Sequence, residues 1–238
     1  MIDFHSHFLP RMDDGSSSVE ESLEMLRVSL DQGVDVMAAT PHFYAFREDP
    51  DSFLERRAAA FARLPLEDAP HPKLLLGAEV YYFDGMSNSE SLRRLTLEGT
   101  RYILIEMPFS RWSDHMVDEV LRLRDRLRLK PYLAHIERYL RAQRGTDYIE
   151  RFLREGLLIQ CNADFFLTRT SARKALRMLR NGQIHLLGSD AHNMAERAPE
   201  LGDAVELIRA ELGDGVLREM DATGQAMLRT VLATGELK

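Results

Sequence analysis

Seven short, nearly continuous apolar strings recur along the chain, at 1–7, 34–43, 74–82, 102–107, 131–135, 157–163 and 184–192. Strings of this length without polar alternation predict strands buried on both faces, as in parallel sheets. Between them, apolar positions recur at helical spacing. Val19, Leu23, Leu26 and Leu30 share one face; Val117, Val120, Leu121 and Leu127 share another. Ser17 with Glu20 reads as a capping box, and Gly33 as the stop of that first helix. Asp49–Pro50 and Ser113 open two more. Asp147 opens one ended by Gly156, Thr170 or Ser171 one ended by Gly182, and Pro199 lies near the start of one ended by Gly213. Asp221 is the expected cap of a last helix ending near Gly235. This alternation predicts an α/β fold, and no linker or composition break divides residues 1–238 into more than one domain.

The pattern alone allows a barrel or an open doubly wound sheet. The polar residues favour the barrel. Each string ends in or carries a group that can bind a cation or a hydrogen: His5 and His7, His42, Glu79, Glu106, His135, Asn162 and Asp164, then Asp190 and His192. In a barrel the C-terminal strand ends converge on one mouth; in an open sheet they would be strung along an edge. Seven units, one short of the common eight-fold barrel, predict a TIM-like (β/α)7 barrel.

His5 and His7 are two apart on a predicted strand, so both imidazoles share a face. Asp190 and His192 repeat that spacing. Glu79 and Glu106 sit in apolar strings, where a carboxylate needs a cation or an Arg partner. Asp13 or Asp14 adds a further carboxylate, the other serving the Asp-Gly turn. Such a set exceeds what one ion needs and suits two or three; mixed nitrogen and oxygen donors without thiolate fit Mn, Fe, Co or Zn, and the carboxylate share leans toward Mn or Fe. His71, His115 and His185 read as structural. Arg138 and Arg197 follow two ligand-bearing strings and read either as clamps for phosphoryl charge or as partners of Glu137 and Glu196. Arg47 is a weaker candidate. Phe8, Phe43, Phe46, Phe83, Phe109 and Trp112 crowd the same rim, as stacking surface for an aryl substrate or as loop packing.

Composition removes other classes. Of 238 residues, 31 are basic and 38 acidic, so the net charge of −7 argues against a grip on nucleic acid phosphates. The single cysteine excludes a disulfide framework. A cysteine-dependent phosphatase needs an Arg six residues after its nucleophile; after Cys161 that position is Leu167. Cys161 reads as a small buried strand residue. No apolar run reaches the roughly 18 residues of a membrane span, and the N-terminus lacks signal-peptide character, so the expectation is a cytoplasmic protein. The basic run 122–130 reads as a solvated helix face, with an acidic partner or membrane surface as the alternative.

The ordered strings IDFHSHFLPRMDDG, ATPH, GAEVY, LIEMP, AHIERY and GSDAHN resemble the PHP (polymerase and histidinol phosphatase) superfamily. More narrowly, they resemble its bacterial CpsB-type protein tyrosine phosphatases of capsule and exopolysaccharide operons. The likeness runs from Met1 to about Arg197. It implies a distorted seven-stranded β/α barrel of the PHP type with three metals: His5, His7, Glu79 and Asp190 on the first; Glu79, Glu106 and His135 on the second; Asp14, His42 and His192 on the third. It also implies Arg138 and Arg197 as substrate-phosphate arginines, and a phosphotyrosine protein, a bacterial tyrosine kinase, as partner. The alternatives are a small-molecule phosphatase acting on a histidinol phosphate-like ester and a non-catalytic kinase-binding regulator.

Overall fold

The computed structural model describes residues 1–234; the expected helix end near Gly235 lies outside them. The seven apolar strings fold as nine strands: β1 (Ile2–Ser6), β2 (Val36–Ala39), β3 (His42–Phe43), β4 (Lys73–Leu76), β5 (Glu79–Tyr81), β6 (Tyr102–Glu106), β7 (Lys130–Leu133), β8 (Leu158–Asn162) and β9 (Leu186–Gly188). All pairings are parallel, in the orders β1-β2-β4 and β3-β5-β6-β7-β8-β9. Two strings are interrupted, at Thr40–Pro41 and Gly77–Ala78. Pro41 lacks an N–H for the ladder. A Cβ at Gly77 would lie 2.8 Å from Leu97 Cδ2, so the chain bends there against a leucine. Each interrupted string leaves one sheet and enters the other, so the two sheets form one curled surface. Beside β1 and β9, Ser6 bridges Ala191, and the His7 N–H donates to the Ala191 carbonyl at 2.9 Å.

Between Asp3↔Met37 and Ser6↔Ala39, residues 4 and 5 of β1 oppose only Ala38. This bulge breaks the alternation of the strand. Ile2 and Phe4 face the apolar cluster inside the curl, with Val36, Ala38, Leu75, Leu104, Tyr132 and Leu186. After the extra residue, His5 and His7 turn to the same side. The Asp3 carboxylate supports the irregularity by accepting the His5 N–H at 3.1 Å and the Ser189 N–H at 2.9 Å. Burial pushes its pKa up to about 6 against those hydrogen bonds.

The helices are α1 (Val19–Asp31), α2 (Pro50–Phe61), α3 (Asp114–Leu127), α4 (Tyr148–Arg154), α5 (Asp164–Leu167), α6 (Ala172–Arg180), α7 (Leu201–Leu212) and α8 (Asp214–Thr234). Their buried faces form the larger core against the outside of the sheet, around Met25, Phe53, Val120, Phe152 and Ile208. Asp49 and Ser113 cap α2 and α3 as expected. Three expectations shift. Ser18, not Ser17, caps α1 by accepting the Glu21 N–H, while the Glu21 carboxylate accepts from Ser17; Ser16 is held back on the His7 carbonyl and delays the turn by one residue. Asp147 precedes α4 but pairs with Arg154 instead of capping. Asp221 lies inside α8, which begins at Asp214 because Gly213 ends α7 with φ of +78°. On the basic run, the exposed Arg122 of α3 lies 3.4 Å from the half-buried Asp118 and 3.6 Å from the buried Glu119. No described helix is long and apolar enough to cross a membrane.

Helix α8 gives the segment after Arg197 a structural role. Met227, Leu228 and Val231 close the apolar interior of the curl at the end away from the histidines. Gly224 permits the approach: a Cβ there would lie 2.9 Å from Phe4 and 3.1 Å from Ile2. Gly224→Leu therefore overpacks this contact, at a cost of about 1–3 kcal/mol. A thermal melt of the variant is expected to shift down by several degrees; an unchanged melt would show that α8 does not bear on β1.

Candidate metal centre

The C-terminal ends of the strands gather the expected ligands in one place. Three groups of donor atoms each lie within 4.8 Å of one another: His5, His7 and Asp190; His42, Glu79 and Glu106; and His7, Asp14, His42 and His192. The groups share His7 and His42, so they are contiguous. Glu79 is the hub. Its Oε1 lies 2.8 Å from His135 Nε2, and its Oε2 lies 2.8 Å from His42 Nδ1, 3.3 Å from His5 Nε2 and 3.5 Å from His7 Nε2. His135 Nε2 is also 3.5 Å from Glu106. The His5 and His7 Nε2 atoms face each other at 3.1 Å.

The chemistry of these contacts fits a cation. Six buried side-chain polar atoms among the described residues lack a hydrogen-bond partner, and four of them belong to candidate ligands: His42 Nδ1, Glu79 Oε2, His135 Nδ1 and His192 Nε2. His42 Nδ1 and Glu79 Oε2 nearly touch without hydrogen-bond alignment. Donors that converge in this way, and leave lone pairs unmatched, suit divalent ions of the borderline class. Two candidate ligands also sit in strained backbone: His135 has φ of +25° and Asp190 of +50°. Each costs on the order of 1–3 kcal/mol in a residue with a side chain, a cost that clusters at functional sites.

Asp13 and Asp14 take different positions in the cluster. Asp13 Oδ2 accepts from His7 Nδ1 at 2.7 Å and from the His42 N–H at 2.9 Å, so it orients His7 from behind. Asp14 is largely exposed and aims Oδ1 at His42 and His192, 3.4 and 3.5 Å away. Arg138 and Arg197 do not pair with Glu137 and Glu196 in this structure. Both reach Asp190 Oδ2, at 2.5 and 2.7 Å, and both remain about one-third exposed. The rim aromatics divide. Phe8, Phe43 and Trp112 are core residues; Phe46 and Phe109 are 71% and 50% exposed. Arg47 stacks over Tyr44, whose ring in turn stacks on His42. Cys161 is fully buried, and burial with the neighbouring Glu137 holds its thiol far above the range of a nucleophile. His71 and His185 make backbone contacts, and His115 pairs with Asp84, all away from the cluster.

The apolar pattern assigned no role to Gln160, and treated Asn162 only as a strand-end polar group. Both are buried against the ligands. The signal was available: a glutamine and an asparagine two apart in a buried strand share a face and both need partners.

A family model described as capsular polysaccharide synthesis, CpsB/CapC, matches residues 1–228. The chain belongs to this family. The match extends beyond Arg197, into α8. Among curated CpsB/CapC relatives, the tyrosine-protein phosphatase YwqE of Bacillus subtilis is 32% identical, over 90% of this chain and 85% of that protein. The tyrosine-protein phosphatase CpsB of Streptococcus agalactiae is 28% identical, over 90% and 91%. A solved structure from work on YwqE of Bacillus subtilis and CpsB of Streptococcus pneumoniae, described as unique metal-dependent tyrosine phosphatases, superposes with a TM-score of 0.83 at 27% identity. It covers 97% of this chain and 95% of that one.

Electrostatics set the pH response of this CpsB/CapC site. Burial alone would lower the pKa of His7, but Asp13, Asp190 and Glu79 outweigh it and raise it. Burial is likewise overcome at His42 by Glu79, and at His135 by Glu106 and Glu79, so that His135 is pushed up to about 10. Burial, with His7 and Arg197, lowers His192. Glu79 and Asp190 are held well below the usual carboxylate range, against burial: Glu79 by the facing imidazoles of His5, His42 and His135, and Asp190 by those of His5 and His7 together with Arg138. A raised histidine stabilises the fold fully below its ordinary value of 6.5, and that contribution is lost as pH rises through its folded value, about 10 for His135. The lowered carboxylates act on the acid side, where their contribution is lost as pH falls through their depressed values. Chelator-treated protein is therefore expected to lose melting temperature between about pH 7 and 10, and divalent ions that replace the protons should flatten the profile. Calorimetry at stepped pH checks this; a flat profile after chelation would contradict the proton-held cluster.

Proposed function

We propose that this chain is a metal-dependent protein tyrosine phosphatase, a single PHP-type unit over residues 1–238 built as a distorted seven-stranded β/α barrel in which two of the seven strands are each broken in two, giving the nine segments described above. One observation carries the reading. Three contiguous donor groups lie beside two arginines that converge on a single ligand oxygen, Asp190 Oδ2, in a family whose relatives are named tyrosine-protein phosphatases. The assignment of metals follows the grouping expected from the sequence: His5, His7, Glu79 and Asp190; Glu79, Glu106 and His135; Asp14, His42 and His192. Two or three divalent ions, Mn first, would supply Lewis-acid charge compensation and an activated water.

The chain's own residues do the rest. Arg138 and Arg197 act as the catalytic cations. Held on one carboxylate oxygen and still partly exposed, they are placed to turn toward equatorial phosphoryl oxygens and balance their charge. Asp13 fixes the His7 ring. A phenolate leaves with a pKa near ~10, so the reaction asks little of a general acid. Exposed Phe46 and Phe109 offer ring-sized apolar surface at the rim for the tyrosyl group. The substrate is a phosphotyrosine protein, a bacterial tyrosine kinase linked to capsule or exopolysaccharide synthesis, and the setting is cytoplasmic.

The deciding assay compares kcat/KM on a phosphotyrosyl peptide and on histidinol phosphate, before and after chelation. The peptide is expected to be preferred, with turnover lost on chelation and restored by Mn. Preference for the small ester would move the reading to a small-molecule phosphatase; bound metal with no turnover on either would move it to a regulator. Arg138→Ala is expected to retain metal and lose about 10²–10³-fold in kcat, whereas Glu79→Ala should lose metal and turnover together. Normal turnover by the Arg138 variant would remove the clamp.

A further inference from the structure

Gln160 is not among the expected ligands, yet it is completely buried between two of them. Its Oε1 accepts the His135 backbone N–H at 2.7 Å and lies 3.3 Å from His5 Nδ1. Its Nε2 donates to Asn162 Oδ1 at 2.8 Å, and Asn162 Nδ2 donates to Asp190 Oδ2 at 2.8 Å.

The direction of every bond in this chain is forced. A backbone N–H only donates, so Gln160 must present its oxygen to His135. An aspartate paired with two arginines only accepts, so Asn162 must present its NH2 to Asp190. The two amides between these fixed ends can then meet in one way, NH2 of Gln160 to oxygen of Asn162. Gln160 Oε1 can take from His5 only a proton on Nδ1. Nδ1 of His5 is therefore the protonated nitrogen, and Nε2, which points toward His7, Glu79 and Asp190, is the one placed to offer its lone pair to a cation. Gly188 leaves room for the arrangement: a Cβ there would fall 2.6 Å from His5 Cβ and 2.7 Å from Gln160 Nε2.

We propose that Gln160 and Asn162 form a two-amide relay that sets the tautomer of His5 and the orientation of Asp190. Gln160 is thereby a positioning residue for divalent-ion retention at the His5–His7–Asp190 group. This rests on the metal-dependent reading above. An apolar residue of the same size would fill the space and leave His5 free to carry its proton on Nε2, the wrong side for a ligand.

The test is a chelator-competition titration of Co2+ and Mn2+ into the wild type, Gln160→Met, Asn162→Leu and the double variant. Each single change is expected to weaken the binding of at least one ion by about 10–100-fold. The double variant should lose little more than the worse single one, because both break the same relay. In the Co2+-loaded protein, the hyperfine-shifted ring N–H resonance of His5 should move in Gln160→Met, a signature that lost packing would not produce. Wild-type affinity in both variants, or a lower melting temperature with unchanged ion affinity, overturns the relay alone. A wild type that takes up neither ion overturns the metal reading together with the relay. Should Gln160→Met fail to fold, Asn162→Leu decides the same question from the Asp190 end.

Discussion

Five imidazoles and four carboxylates are packed at one edge of a curled sheet, and most of them are cut off from water. Charges of this density persist only where opposite charge lies between them, because desolvation otherwise outweighs their mutual attraction. The pKa shifts express that constraint: carboxylates pull histidines up, and histidines hold Glu79 and Asp190 down. Protons can meet the requirement, but divalent ions meet it at the unmatched lone pairs of His42, Glu79 and His192 as well. The two arginines add to the same balance from the rim.

Much of the fold's irregularity serves this edge. The bulge at residues 4 and 5 turns His5 and His7 inward, and Asp3 holds the bulge. Positive φ at His135 and Asp190 re-aims two more candidate ligands where their strands end. The interruptions at Pro41 and Gly77 carry His42 and Glu79 onto β3 and β5, which pair with His42 opposite Glu79. At the far end, α8 seals an apolar interior that holds none of these groups. The packing that stabilises the sheet and the charges that give it chemistry are thus separated along the strands.

The gathering of most of the candidate residues was legible in the sequence, since parallel strands bring their C-terminal ends together and each apolar string carried its own polar residue. The strings also located all the strands. What local pattern does not encode was harder to read. The choice between Asp13 and Asp14 depends on which carboxyl faces His7 Nδ1 and which faces His42 Nε2, a matter of loop conformation. The bulge is invisible to a count of alternating positions. Ser18 displaced Ser17 as the cap because of a tertiary bond from Ser16. The pairing of Arg138 and Arg197 with Asp190, rather than with adjacent glutamates, depends on tertiary geometry, Arg138 lying 52 positions from Asp190, and Gln160 looked like one polar residue in an apolar string.

Anomalous diffraction at the manganese edge, from crystals grown with Mn2+, tests the central claim most directly. Convergent ligands predict at least two peaks, each about 2.0–2.3 Å from its donors, with Glu79 touching more than one. A map without peaks at this edge of the sheet, or with manganese only on surface carboxylates, would contradict the account.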